Sequence, residues 1–348
     1  MLNLKINGKI KTGTIILMLI TAVILSTANF SSASEVLHRD KIKYIVNPYT
    51  LVDWDNTGYY KANLQTHTTE SDGYHTPHEV VKSYQNKNYD ILSLTDHNRL
   101  TWPWSEHGIK EAERDMTAVM GVEISDIHHM GSYFNDFTGG KVSEVESLEI
   151  IEEKGGLAVF YHPGRYNLDL DWYLEYYKNF SSLVGIEIYN QGNQYKDDWL
   201  LWDKILAEME ATNLIWGFAN DDLHQLPEHL ALDYNIFLLE DNNLENVKRA
   251  MRDGQFYVYK PAEQGAEPQL KIENIVVDET EIKLYVSGDY DKIEWVSYNK
   301  EEKESQVVAE GFSINLRELP FKTNYVRARI KAESSIIDTQ PFGIKYEN

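Results

Sequence analysis

The chain contains no cysteine, which excludes disulfide staples, thiolate-bound metals and a cysteine nucleophile. Positive charge is scarce too: 33 lysines and arginines face 55 acids, for a formal net charge of −22. A chain without a phosphate-neutralising basic stripe makes no broad contact with nucleic acid or anionic lipid. A small phosphate ester held through metal ions is still allowed. Also missing are the G-x-S-x-G elbow, the P-loop and the H-E-x-x-H helix. Any metal must therefore be bound by His, Asp and Glu. What is present is ordinary for a folded protein: 348 residues, 42% hydrophobic and 25% charged, rule out wholesale disorder and leave room for a catalytic domain plus a smaller companion.

Residues 1–33 read as an export signal. Lys5, Lys9 and Lys11 form a positive n-region, Thr14 to Ala28 is apolar, and Ser26/Ala28 and Ser31/Ala33 offer small residues for cleavage. The apolar run is too short for a typical membrane span. The expectation is a secreted or cell-surface bacterial protein, and any membrane contact would come only from the leader left uncleaved as an anchor. Oligomeric state is not legible.

From about residue 40 to 262 strand-like and helix-like segments alternate, the pattern of βαβ units and a parallel sheet or barrel. Tyr60–Thr66, Asp90–Thr95, Ala118–Ile124, Leu157–Tyr161, Leu183–Tyr189, Leu214–Ala219 and Asn235–Leu239 are predicted strands. Thr76-Pro77-His78-Glu79 is a capping box with proline at the first helical position, and Ser143 with Glu146 is a second. After Pro261 the texture changes. Alanine, glutamate and glycine at 262–267 read as a linker, and beyond it come period-2 runs such as Ile282/Leu284/Val286 and Val326/Ala328/Ile330. Residues 267–348 are expected to form a small antiparallel Ig-like β-sandwich.

Six successive strands each deliver His, Asp or Glu at their carboxyl ends. They give Gln65-Thr66-His67 with Asp72 following, Asp96-His97, Glu123, His162 with Arg165, Glu187, and Asp221-Asp222 with His224. Each piece alone is weak; the ordered set is strong, because parallel barrels build their sites on that face. A glycosidase would need only two carboxylates, which leaves the repeated histidines unexplained.

The segments QTH…SDG, TDHN, GVEIS, YHPGR and DDLH, with RAMRDGQFYV at 249–258, resemble the polymerase and histidinol phosphatase (PHP) superfamily of metal-dependent phosphoesterases over most of residues 58–260. The resemblance implies a distorted (β/α)7 barrel holding two or three Zn²⁺, Mn²⁺ or Fe ions. Its metal ligands would be His67, Asp72, His97, Glu123, His162, Asp222 and His224. Gln65 stands where the family has histidine, and a neutral amide is a poorer zinc ligand than imidazole, so that position is weakened.

Two ions about 3.5–4 Å apart can share and acidify a bridging water while clamping phosphoryl oxygens. Glu123 is the candidate bridging carboxylate, Asp222 completes a shell or orients the metal-bound hydroxide, and Arg165 is the candidate for substrate anion contact. The expected substrate is a small-molecule or glycan-linked phosphoester. Other readings are an amide or other ester hydrolase, and a barrel disabled at Gln65 that binds a glycan or partner.

Of the other histidines, His128 and His129 could reach the rim, His75 and His78 should lie near the surface beside the capping box, and His38, His107 and His229 are expected at the surface. Asp96 is expected to orient His97 or nearby backbone. Glu187 is divided between lining the site and a structural role.

Overall fold

The computed structural model describes residues 41–110 and 115–347. The predicted leader and His38 lie outside them. Strand β1 (Ile42–Val46) precedes β2 (Gly58–Asn63), α1 (Pro77–Gln85), β3 (Ile91–Leu94), β4 (Thr117–Ile124) and β5 (Met130–Tyr133). Then come α2 (Glu144–Glu153), β6 (Leu157–Phe160), α3 (Leu170–Asn179), β7 (Leu183–Asn190), α4 (Asp198–Glu208), β8 (Trp216–Asn220), β9 (Tyr234–Leu239), α5 (Leu244–Asp253) and β10 (Phe256–Pro261).

Both predicted capping boxes form: Thr76 and Ser143 each accept from the backbone N–H of the glutamate three residues on, and each glutamate reaches back. Every residue of β3, β6, β7 and β8 is buried. This is the mark of strands covered on both faces, as in parallel sheets. β2, β3 and β4 run parallel, and so do β6, β7 and β8.

The alternation predicts parallel neighbours throughout, and two strands depart from it. β5 is inserted antiparallel between β4 and β6, making a hairpin in which Glu123 pairs with Gly131. Its four residues carry no strong strand signal, and a Cβ on Gly131 would lie 2.3 Å from the Tyr161 hydroxyl, so glycine is what lets the strands close up. β9 runs antiparallel to β2.

At the far edge, β8 is met by amides rather than a strand ladder. Asn235 of β9 accepts from Ala219 N–H at 3.0 Å and donates to Ala219 C=O at 2.7 Å. Gln340 does the same for Gly217, at 2.9 Å in each direction. Two carboxamides thus stand in for missing peptide groups on buried backbone that would otherwise lose its partners.

Beyond β10 come β11 (Lys271–Val277), β12 (Glu281–Ser287), β13 (Lys292–Asn299), β14 (Glu304–Glu310), β15 (Ser313–Asn315), β16 (Tyr325–Lys331), β17 (Ser335–Thr339) and β18 (Phe342–Tyr346), all antiparallel as period 2 predicts. β11, β12 and β15 form a separate three-stranded sheet, whereas β17 pairs with β10 and so continues the sheet of the barrel. β1 pairs with β18, joining the start of the described chain to its end.

The segment read as a linker is tied down. Gln264 Nε2 donates to the carbonyls of Pro227, Glu228 and Leu230, and Gly265 N–H donates to Ala231. From Lys41 onward the chain is one compact unit. Among the described residues no helix is long and apolar enough to cross a membrane.

Candidate metal centre

Parallel β2, β3, β4, β6, β7 and β8 end on one face, and the site gathers there. Thr66 and Leu223 make an isolated parallel bridge, and Thr95 N–H donates to Thr66 C=O at 2.8 Å, so the segments after β2, β3 and β8 continue side by side beyond their strands. This places His67 at the centre with no exposure. Its Nε2 is 3.0 Å from Glu123 Oε2 and 3.1 Å from Asp222 Oδ1.

The opposite ring nitrogen, Nδ1, faces Asp72 Oδ1 at 3.7 Å, and Asp72 in turn lies 3.5 Å from His97 Nε2 and 3.4 Å from His224 Nε2. On the other side of Glu123, Oε1 lies 2.6 Å from His129 Nδ1, 3.4 Å from His162 Nε2 and 3.8 Å from His97 Nδ1. Three donor groups result, each tight enough for one cation: His67/Asp72/His97/His224, His97/Glu123/His129 and His67/Glu123/Asp222. All seven predicted ligands converge. Glu123 belongs to two of the three groups, with a separate oxygen toward each.

The polar atoms of this cluster fit metal ions better than they fit one another. Both nitrogens of His67, Nδ1 of His97, His129 and His162, and Oε1 of Glu123 are buried without a hydrogen-bond partner. Leaving such atoms unpaired costs about 1–3 kcal/mol each. The imidazole–carboxylate distances are short, yet the groups point at shared positions in space instead of along hydrogen bonds. Convergent neutral nitrogens and carboxylate oxygens are a donor set for divalent cations.

Electrostatics agree with this. Burial alone would depress His162, but Glu123 and the other carboxylates raise it to about 9. Burial likewise opposes, and Glu123 and Asp222 reverse, the shift of His67, which ends well above the usual imidazole value. Asp72 is held far below the carboxylate range by the His224 and His97 imidazoles that face it. His162 and Asp222 also sit at positive φ, +28° and +46°. Such strain in a non-glycine residue costs about 1–3 kcal/mol and gathers at functional sites.

Several supporting roles are resolved. Asp96 accepts from Thr68 N–H (2.8 Å), Ser71 Oγ (2.7 Å), Thr68 Oγ1 (2.9 Å) and Thr101 Oγ1 (2.5 Å), so it fixes the turn that carries Asp72. Glu187 does not line the site. It is wholly buried, accepts from His162 N–H at 2.8 Å, and burial raises its pKa to about 8.

His128 and His129, in the turn between β4 and β5, go separate ways. His129 enters the centre, whereas His128 pairs with Glu144 at 2.6 Å. Two surface expectations are corrected. His229 stands behind the site, its Nδ1 accepting from His224 N–H at 3.3 Å. His107 lies 3.6 Å from Glu70 and is largely covered. Arg165 is exposed at the rim, its guanidinium 5.8 Å from the centre of the Tyr166 ring, and that ring contacts His128, His129 and His162. Among the described residues no carboxylate pairs with Arg165.

A two-domain protein from Bacteroides vulgatus ATCC 8482, described as containing a predicted PHP-like metal-dependent phosphoesterase, superposes on 89% of this chain and 92% of its own, with a TM-score of 0.51 and 14% identity. The chain has the fold of that PHP-like protein. Weaker likenesses include an amidohydrolase from Chromobacterium violaceum, with TM-score 0.38 and 19% identity over 48% of this chain and 89% of that one. The uncharacterized protein MJ1587 of Methanocaldococcus jannaschii is 28% identical over 116 residues, which is 30% of this chain and 67% of the relative. No protein-family model matches the chain.

Proposed function

We propose that this chain is a metal-dependent hydrolase of phosphoesters. The observation that carries the reading is the convergence of unpartnered imidazole and carboxylate atoms on Glu123, at the strand ends of a PHP-like fold. His67, Glu123 and Asp222 would hold one ion, and His97, Glu123 and His129, with His162 beside them, a second. Asp72, His97 and His224, with the outer nitrogen of His67, would hold a third.

Bound there, divalent ions supply Lewis acidity to the phosphoryl group and acidify a water. The chain's own residues do the rest. Glu123 divides its two oxygens between the first two groups. Asp222 and His67 fix the buried end of the site, while Asp72, half exposed, forms its mouth. Asp72, Glu123 and Asp222 are the three carboxylates of the cluster. Two divalent cations would outweigh their charge by one, leaving a positive centre that attracts a phosphate dianion despite the acidic chain. Arg165 extends that attraction to the rim, where a planar guanidinium suits phosphoryl oxygens.

Zinc, manganese and iron all suit this imidazole-rich set. A small-molecule or glycan-linked phosphoester suits an open rim, and an export signal, as the sequence of residues 1–33 suggests, would fit a site acting outside the cell. The reading assigns the chemistry to residues 40–262 and a bracing role to the strands after 267.

The test is hydrolysis of p-nitrophenyl phosphate and its bis ester by purified protein loaded with Mn²⁺ or Zn²⁺. Turnover that disappears on chelation and returns with metal is expected. A folded, metal-loaded protein that turns over neither would refute the phosphoesterase reading.

A further inference from the structure

Gln65 occupies a position where a ligand is expected, and its carboxamide is already spoken for. The direction of each amide in its surroundings can be fixed from backbone groups whose donor role is not in question. Leu64 N–H donates to Asn220 Oδ1 at 2.9 Å, so the NH₂ of Asn220 faces the other way and donates to Glu187 Oε1 at 2.7 Å. His162 N–H donates to Glu187 Oε2 at 2.8 Å. Glu187 accepts at both oxygens, and Asn190 donates to it as well, from Nδ2 at 3.1 Å. That same Nδ2 lies 3.0 Å from Gln65 Oε1. Hence the oxygen of Gln65 accepts from Asn190, and its NH₂ donates to Glu123 Oε2 at 2.9 Å. All five side chains are buried.

We propose that Gln65 is a positioning residue, not a metal ligand. It turns an N–H, and no lone pair, toward the centre, and it holds the oxygen of Glu123 that also faces His67 and Asp222. One buried chain of hydrogen bonds, Asn220–Glu187–Asn190–Gln65–Glu123, then fixes the shared carboxylate, and through Glu187 it fixes the backbone of His162 as well. An ion beside His67, Glu123 and Asp222 would take those three residues as its protein ligands, with no fourth from Gln65. The inference rests on the metal reading above, but its prediction is separate. Restoring histidine at this position does not repair the site; it removes the amide that orients Glu123 and leaves Asn190 Nδ2 with its bond to Glu187 alone.

The full chain and its Gln65→His, Gln65→Met and Asn190→Ala variants are loaded with Mn²⁺ and dialysed against graded chelator. Ion content is read by elemental analysis, and coupling between the ions by electron paramagnetic resonance. Metal-free melting identifies which variants are folded. Gln65→Met, close in shape and without a donor, serves if Gln65→His does not fold.

We expect Gln65→His and Asn190→Ala alike to weaken retention of the most labile ion by about 10–100-fold, the usual effect of losing a group that orients a ligand, and to diminish the signal of coupled manganese. Tighter binding or an additional ion in Gln65→His overturns the proposal, and so does unchanged binding in Asn190→Ala, since a ligand role for Gln65 does not pass through Asn190. A parent protein that takes up no manganese overturns the metal reading itself.

Discussion

Two of the charged clusters buried among the described residues are built on opposite principles. Near the barrel's outer wall, Arg327 of β16 is fully enclosed. It donates from Nε and Nη2 to Asp203 of α4, at 2.7 and 2.9 Å, and from Nη1 to Asp338 of β17, at 2.5 Å. Arg329 adds Nε to Asp338 at 2.8 Å, and Tyr189 donates its hydroxyl to the other oxygen of Asp338 at 2.9 Å. Two guanidiniums meet two carboxylates, and the charges balance. At the strand ends the other cluster has three carboxylates, five imidazoles and a set of buried atoms with no partner at all. A satisfied buried network is complete as protein. An unsatisfied one that converges on common points asks for something from outside.

The largest separation between the two should come from Glu123→Gln. The carboxylate is common to two of the three donor groups, so its loss is expected to lower phosphoesterase activity by at least about 100-fold, the upper range for a group that merely supports a ligand. Retained ions should fall in number, while the metal-free protein should melt no lower than the parent. Activity within a few-fold of the parent, measured on equally loaded protein, would break the comparison on the catalytic side.

Arg327→Met makes the reciprocal test. Removing one partner of a buried ion network strands the others, at about 3–5 kcal/mol. A loss of that size in denaturant unfolding is expected, with ion content unchanged in whatever protein remains folded.

The same cluster should carry a pH signature. Asp338 lies below its ordinary carboxylate value: burial opposes this, but Arg329 and Arg327 prevail. A depressed folded pKa means that the stabilisation is present above the unfolded value, about 4, and is lost as pH falls through the folded one. The stability gap between parent and Asp338→Asn should accordingly be full at neutral pH and narrow below about pH 4. A gap constant across that range would show that the charge of Asp338 is immaterial.

What could be read from residues alone divides along similar lines. The convergence of the seven predicted ligand positions was legible because each follows an apolar strand, and strand order puts them on one face whatever the details of pairing. Capping boxes were legible because their signal is local. His129 was not separable from His128, because both lie in the turn that leads into β5, a four-residue strand with no strong signal of its own. Gln65 could be recognised as a departure but not assigned a job, since Asn190, Glu187 and Asn220 lie on other strands and carry no motif. The Arg327 cluster was invisible for the same reason: Asp203 and Asp338 meet it from 124 and 11 residues away.

His128 and His129 offer a finer test within the catalytic cluster itself. His129→Gln removes a nitrogen aimed at Glu123 and should weaken ion retention by about 10-fold or more. His128→Gln loses a partly buried pair with Glu144, for which about 1 kcal/mol of stability is expected, and ring contacts with Tyr166 and Trp172, with ion content unchanged. Equal effects on ion retention would mean that the hairpin register does not decide which histidine serves the metal.

The smallest effect is expected at Arg165, and its form is informative. The guanidinium is exposed and rests on the Tyr166 ring, so Arg165→Ala removes charge from the rim without disturbing a buried group. An exposed charge acting across water contributes about 1 kcal/mol or less, which corresponds to a rise of several-fold in KM. If Arg165 only steers the anion, kcat should hold, and raising the salt concentration should erode the difference between variant and parent. If it clamps the phosphoryl oxygens during the reaction, kcat should fall with kcat/KM and the salt dependence should be slight. The exposed, ring-stacked position favours steering, because a group that must tighten onto a transition state is normally held by more than one contact.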